Sequence, residues 1–304
     1  MEFEVTILGA NAAIPANKRF PSSQFLKAGR HRFLIDCGEG TQIRLQDFAV
    51  KKGKIRHIFI SHLHADHYAG LFGLLGTYIL QHREQPLTIF APPGLEEIIR
   101  LQFFYSGTLL PFPLTFVELQ PGFNKLFEDD AMEVFSFPIK HRIEAYGFLF
   151  SQKEQQRKII KEKAKEHNIP LKAFSCLKKG ENYKAADGSF FSYEEFTEPP
   201  PEPASYAYVS DSVFDPQLQT FLQNVTVLYH EATFAADLEE KALKTMHSTS
   251  VQAAEIAKMS GAKKLIIGHF STRYKDTGVL KDEAASVFKA SFAAEEGKTY
   301  KIAE

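Results

Sequence analysis

The run Ser61-His62-Leu63-His64-Ala65-Asp66-His67 follows directly on the apolar stretch Ile55–Ile60, and it constrains the chain more than any other feature. His62, His64, Asp66 and His67 put four metal-ligating side chains within six residues, a density that packing does not require. Imidazole and carboxylate suit Zn²⁺, and a loop at a strand end can turn several of them inward at once. The competing reading is a polar surface loop that happens to be rich in histidine. If the loop holds metal, further ligands must come from strand ends distant in sequence. Three residues stand in such positions: His141 after the apolar run Val134–Ile139, Asp211 after Tyr206–Val209, and His269 after Leu265–Gly268. Taken singly, each also suits a cap or a turn.

The surrounding pattern mixes strands and helices. Phe3–Leu8, Gln24–Ala28 and Arg32–Ile35 read as an antiparallel start. Strand and helix then alternate through Ile55–Ser61, Ala69–His82, Leu87–Phe90 and Leu95–Ser106. The alternation returns at Val225–Tyr229, Ser250–Ser260, Leu265–Gly268 and Leu280–Phe292. Two β-rich halves flanked by helices predict an α/β protein, two sheets packed as a sandwich with helices outside. With 304 residues, 44% of them apolar, there is ample material for that core.

The 36 basic and 37 acidic residues nearly cancel, so any nucleic-acid partner must be held by a local patch. Such a patch lies between Lys153 and Lys184, where ten Lys or Arg face four Glu and no Asp. This is a local balance of +6 in a chain of net charge −1. It reads as an inserted basic arm, with a solvated charged helix over Lys153–Glu166 as the plainer alternative. The proline-rich stretch Glu198–Pro203 reads as a stiff connector back to the core. No apolar run of 18 residues and no charged-then-apolar leader is present, which predicts a soluble cytoplasmic protein. Cys37 and Cys176 have no paired spacing and read as free thiols.

These motifs together resemble a known family. His-x-His-x-Asp-His followed by a distant His, Asp and His is similar to the metallo-β-lactamase fold hydrolases. Within them the chain resembles ribonuclease Z, the tRNA 3′-processing endoribonuclease. The likeness is carried by Phe33–Gln42 with its glycines, His230-Glu231-Ala232-Thr233-Phe234, His247-Ser248-Thr249 and Gly268-His269-Phe270-Ser271-Thr272-Arg273-Tyr274. It implies a four-layer αββα sandwich interrupted by an arm at about residues 151–203. It implies two Zn²⁺ per subunit, one on His62, His64 and His141, the other on Asp66, His67 and His269, with Asp211 bridging. Asp66 becomes the general base and His247 the acid, while Asp36, His230 and Glu231 support the ligands by hydrogen bonds.

The implied reaction removes 3′ trailers from tRNA precursors and leaves a 3′-hydroxyl. The partners are the tRNA precursor and a second copy of the chain, with neither DNA nor membrane. Lys172, Lys178 and Lys179 are the RNA-binding candidates. Here the chain departs from the family, with Ile169-Pro170-Leu171 standing near the position of a Gly-Pro turn. The alternative function is a metal-dependent phosphodiesterase for small esters, since one metal centre can serve both substrates.

Overall fold

The computed structural model describes residues 2–303. Its strands are β1 (Phe3–Gly9), β2 (Ser23–Ala28), β3 (His31–Cys37), β4 (His57–Phe59), β5 (Leu87–Ala91), β6 (Leu114–Glu118), β7 (Asn124–Glu128), β8 (Met132–Ile139) and β9 (Ala145–Gln152). They continue as β10 (Lys158–Ile159), β11 (Tyr183–Lys184), β12 (Phe190–Phe191), β13 (Thr197–Glu198), β14 (Ser205–Val209), β15 (Val227–Glu231), β16 (Lys264–Gly268), β17 (Ser291–Ala293) and β18 (Thr299–Ala303). The helices are α1 (Thr41–Asp47), α2 (Ala65–Tyr68), α3 (Gly70–Leu80), α4 (Leu95–Tyr105), α5 (Lys161–Glu166), α6 (Leu171–Lys178), α7 (Tyr193–Phe196), α8 (Glu239–Thr245), α9 (Ser250–Met259) and α10 (Gly278–Val287).

One sheet runs β18-β1-β2-β3-β4-β5-β6 and the other β17-β16-β15-β14-β9-β8-β7. Alternation along each strand decides what each face meets. Phe33 and Phe59 face the other sheet, where Phe59 lies 5.4 Å from Phe148 and 5.2 Å from Phe150, centroid to centroid. Leu34, Ile58 and Ile60 point the opposite way and pack with Leu71, Leu74 and Leu75 of α3 and with Leu95 and Ile99 of α4. The first sheet thus packs one face against its partner sheet and the other under helices, while α9 packs on β15 and β16 and α10 on β17 of the second. This is the α/β sandwich that the alternation predicts.

Three local readings are corrected. The strand expected over Ile55–Ser61 is regular only over His57–Phe59, and after a last bond from the Ile60 amide to the Phe90 carbonyl at 2.8 Å the chain leaves the sheet to form the site loop. The helix expected over Leu280–Phe292 stops at Val287, and Ser291–Ala293 instead pairs parallel with β16. Lys153–Glu166 is helical only from Lys161, since Lys158 and Ile159 pair with Glu198 and Thr197.

The chain forms two compact units. One comprises the chain up to Phe127, Val134–Phe150 and the chain from Ala204 onward; the other is Glu128–Glu133 with Ser151–Pro203. The second has its own small core of Ala164, Ile169, Ala173, Leu177 and Phe196. Among the described residues no helix is long and apolar enough to cross a membrane.

His57 gives the larger unit a specific acid sensitivity. Its ring sits among Phe33, Phe90 and Phe127, with centroids 5.7, 6.2 and 5.0 Å away. Burial, with the like charges of His31 and Arg56, lowers its pKa to about 4. The unfolded chain therefore binds this proton more readily, and stability is lost as pH falls from the ordinary 6.5 toward 4, with no contribution above that window. His57→Phe removes the effect. Its melting temperature should gain on the parent's progressively as pH falls through the window; a gap independent of pH would sink the prediction.

Candidate metal centre

The site is assembled where strands end. β14, β15 and β16 run parallel, as do β3 and β4, so their C-terminal ends deliver side chains along one edge of the sandwich. After β4 the chain turns through Ser61–His64 into the short helix α2, which carries Asp66 and His67. His141 follows β8, Asp211 follows β14, and His269 follows β16 directly.

The seven side chains converge in two groups that share Asp211. His62, His64, His141 and Asp211 offer ligand atoms within 4.8 Å of one another, and so do Asp66, His67, His269 and Asp211. In the first, His64 Nδ1 lies 3.0 Å from His62 Nε2 and 3.3 Å from His141 Nε2. Asp211 Oδ2 stands 3.7 and 3.9 Å from the same two Nε2 atoms. In the second, Asp211 Oδ1 is 3.0 Å from His269 Nε2 and 3.3 Å from His67 Nε2. Asp66 Oδ2 stands 3.6 and 3.5 Å from those nitrogens. One carboxylate therefore gives one oxygen to each group.

These spacings fit metal ions. Zinc with bonds of 2.0–2.1 Å in a tetrahedral shell holds its ligand atoms about 3.3 Å apart. The ring tautomers fit as well. His67 Nδ1 donates to Asp36 Oδ2 at 2.8 Å and His141 Nδ1 to the Met246 carbonyl at 2.9 Å. His269 Nδ1 donates to Thr233 Oγ1 at 3.0 Å, because that hydroxyl donates in turn to Glu231 Oε2 at 2.6 Å. His62 Nδ1 likewise meets Ser61 Oγ at 3.0 Å, and Ser61 Oγ donates to Asp36 Oδ2 at 2.9 Å. With Nδ1 protonated, each Nε2 presents a lone pair, and those of His67 and His269 are buried with no hydrogen-bond partner.

The electrostatics point the same way. Burial keeps His62, His64 and His141 below the ordinary histidine pKa, so they are neutral donors at pH 7. Burial alone would raise Asp66 and Asp211, but the imidazoles around them hold both well below the carboxylate range. For His67, burial is outweighed by Asp211, Asp66 and Asp36, which raise its pKa well above 6.5. Three carboxylates around one ring call for positive charge, which a proton or a divalent cation can supply.

Two fully buried carboxylates brace the centre. Asp36 also accepts from the Ser61 amide at 2.7 Å and from the Tyr208 hydroxyl at 2.7 Å. Glu231 accepts from the amides of Ser212, Ser248 and Thr233 at 3.1, 3.0 and 2.9 Å, and from His247 Nδ1 at 2.9 Å. Burial opposes charge on His247, yet the Glu231 carboxylate prevails and raises its pKa to about 9. Backbone strain collects here too. Asp36 (φ 52°), Met246 (φ 59°), His269 (φ 57°) and Ala13 (φ 63°) all lie in the left-handed region, at a cost on the order of 1 kcal/mol or more each. At Ala13 the amide so placed donates to Asp66 Oδ2 at 2.8 Å. A cleft of about 570 Å³ opens over the groups, lined also by Ile14, Arg142, Phe234, His247 and Thr272.

A curated relative named Ribonuclease Z from Cytophaga hutchinsonii is 42% identical over 306 residues, spanning 100% of this chain and 97% of its own length. Another of that name from Parabacteroides distasonis is 38% identical over 299 residues, 97% and 98% of the two chains. The chain belongs to the ribonuclease Z family. It is accordingly an endoribonuclease with the metallo-β-lactamase fold, as its motifs imply. The crystal structure of the short form of human tRNase Z superimposes with a TM-score of 0.73 at 28% identity, covering 99% of this chain and 100% of that one. A metallo-β-lactamase fold protein from Bacillus subtilis, 20% identical, matches at 0.71 over 99% and 100%. The family described as anti-Pycsar protein Apyc1 matches residues 3–108, a stretch that holds Asp36 and the His62–His67 ligands.

Of the residues singled out by likeness to ribonuclease Z, the structure separates His230 from the rest. It is fully buried, but β15 alternation turns it away from Glu231, and its Nδ1 donates to the Glu231 carbonyl at 2.7 Å. It joins neither ligand group. Ser248 and Thr249 hold the motif around His247 in place: Ser248 Oγ donates to the Ser212 carbonyl at 2.6 Å, and Thr249 caps α9 in a reciprocal box with Gln252. The sequence reading missed Ser61, Tyr208 and the carbonyl of Met246 as partners; Ser61 alone had a signal, its place inside the histidine cluster. Both cysteines are free thiols, as expected.

Proposed function

We propose that this member of the ribonuclease Z family removes 3′ trailers from tRNA precursors, with two zinc ions, and leaves a 3′-hydroxyl. The observation that carries the reading is the sharing of Asp211 between two groups of metal-ligand geometry. His62 Nε2, His64 Nδ1 and His141 Nε2 are the donors for one ion; Asp66, His67 Nε2 and His269 Nε2 are those for the other. Such a pair of cations, when bound, lowers the pKa of water to about 7 and offsets charge on phosphoryl oxygens.

The chain's own groups then handle the protons. Asp66, fixed by the Ala13 amide, accepts the proton of the attacking water. His247 has Nδ1 committed to Glu231, which leaves Nε2 for the cleft. Charged at neutral pH, it donates that proton to the departing 3′-oxygen. The basic arm, residues 151–203, grips the tRNA body through phosphate contacts, with Lys172, Lys178 and Lys179 as first candidates. A homodimer acting in the cytoplasm completes the proposal, by likeness to ribonuclease Z.

The deciding experiment is cleavage of an end-labelled tRNA precursor by the zinc-loaded protein and by His64→Ala. A single cut near the discriminator nucleotide, lost in the variant, is the expected result. Metal-dependent hydrolysis of bis(p-nitrophenyl) phosphate with no cut in the precursor would move the assignment to small phosphodiesters.

A further inference from the structure

The smaller unit contains a cavity of about 830 Å³, within the roughly 300–1,000 Å³ usual for small-ligand sites. Its charged walls are of one sign. Arg157, Lys158, Lys161, Lys165 and Lys178 line it, and no carboxylate does, although Glu162, Glu166 and Glu181 are close in sequence. Helical spacing accounts for the sorting. Lys161 and Lys165 share one face of α5 at i, i+4, and Phe174 and Lys178 share one face of α6. Lys158, Lys161, Lys165 and Lys178 make no ion pair among the described residues, while Arg157 donates to Thr197 Oγ1 at 2.7 Å and lies over the Tyr193 ring.

The floor is of another kind. Ile159 and Phe174 are half-buried against the core of this unit, and Ile169 is buried within it. Phosphates on the outside of a duplex need cations on an open surface; they have no use for a hollow with an apolar, partly aromatic floor. An unstacked nucleotide needs both parts, since its base has an apolar face and its flanking phosphates carry charge.

We propose that this cavity seats one unstacked nucleotide of the RNA, its base against Phe174 and Ile159 and its phosphates on Lys161, Lys165 and Lys178. The proposal rests on the reading of this chain as an RNA-processing enzyme. It redraws the RNA-contacting set, because of Lys172, Lys178 and Lys179 only Lys178 lines the cavity. Arg157, Lys158, Lys161 and Lys165 replace the other two.

Photolabelling of the full-length protein with 8-azidoadenosine 5′-monophosphate, mapped by mass spectrometry, tests it. The label should fall within residues 156–178. It should drop about tenfold or more in the double variant Lys161→Glu, Lys165→Glu, whose side chains are exposed and outside the core. Phe174→Leu, which keeps apolar volume but removes the aromatic face, should lower it several-fold. A tRNA precursor should displace the label. Melting temperatures of both variants, measured alongside, control for folding. No label in that stretch, or label indifferent to both variants, overturns the site. Label that the precursor cannot displace assigns the cavity to a free nucleotide and overturns the RNA proposal. Cleavage is not read in this experiment, so its failure and a failure to process tRNA are separate results.

Discussion

Asp211→Ala will lose hydrolysis of RNA and of small phosphodiesters alike, by about 10³ or more in kcat/KM, and its metal content will fall below two ions per chain. The reason is geometric. Asp211 lies among four imidazoles, with Oδ1 3.0 Å from His269 and 3.3 Å from His67 while Oδ2 faces His62 and His141. Among the described residues, no other side chain belongs to both groups. On the proposed two-ion reading, removing it would take a ligand from each ion and the negative charge that would hold the two cations near one another. Asp211→Asn is the informative companion, because it keeps the volume and one acceptor oxygen but not the charge. Metal analysis and kcat/KM on bis(p-nitrophenyl) phosphate should rank parent far above asparagine and asparagine above alanine. Two ions retained with near-parent activity in the alanine variant would refute the shared-carboxylate arrangement.

The convergence of these seven side chains was legible in the sequence because its signal is local. His62 to His67 sit in one loop, and His141, Asp211 and His269 each break an apolar run within two residues of its end. What holds them was not legible. Asp36, Met246, His269 and Ala13 adopt left-handed backbone with side chains that give no sign of it, and tertiary contacts hold them there. The path from Glu231 through Thr233 to His269 ends in a bond between residues 36 positions apart, and the bond from Tyr208 to Asp36 joins residues 172 apart. A period in the sequence does not report such distances. For the same reason β18, which closes the first sheet by pairing antiparallel with β1, had no local cue. At Leu280–Phe292 a short apolar run was compatible with helix or strand, and the free edge of β16 decided for strand after Val287. His230 illustrates the reverse hazard: its place in a motif suggested a role at the centre, and strand alternation turned it to the other face.

Excising Ser151–Pro203 and joining the ends with a short Gly-Ser linker will separate the two substrates. β9, which loses only Ser151 and Gln152 to the cut, and β14 are neighbours in one sheet, so the cut ends lie at adjacent strands. All seven proposed ligands lie outside the excised residues. Hydrolysis of bis(p-nitrophenyl) phosphate should stay within about threefold of the parent, since that ester needs only the metal centre. Cleavage of the tRNA precursor should fall by about 10² or more, because the excised stretch carries the excess of ten Lys or Arg over four Glu between Lys153 and Lys184. Salt gives an independent reading. Removing one phosphate contact lowers the slope of log affinity against log salt by about 0.9 on a duplex, so the residual cleavage should be markedly less salt-sensitive than the parent's. A charge-reversed arm, Lys161→Glu with Lys165→Glu and Lys178→Glu, reaches the same comparison without shortening the chain. If both forms cut the precursor as the parent does, with the parent's salt slope, the arm is not the grip, and the positive charge that recognises the RNA must lie in the larger unit, where Arg142 lines the cleft over the metal ligands.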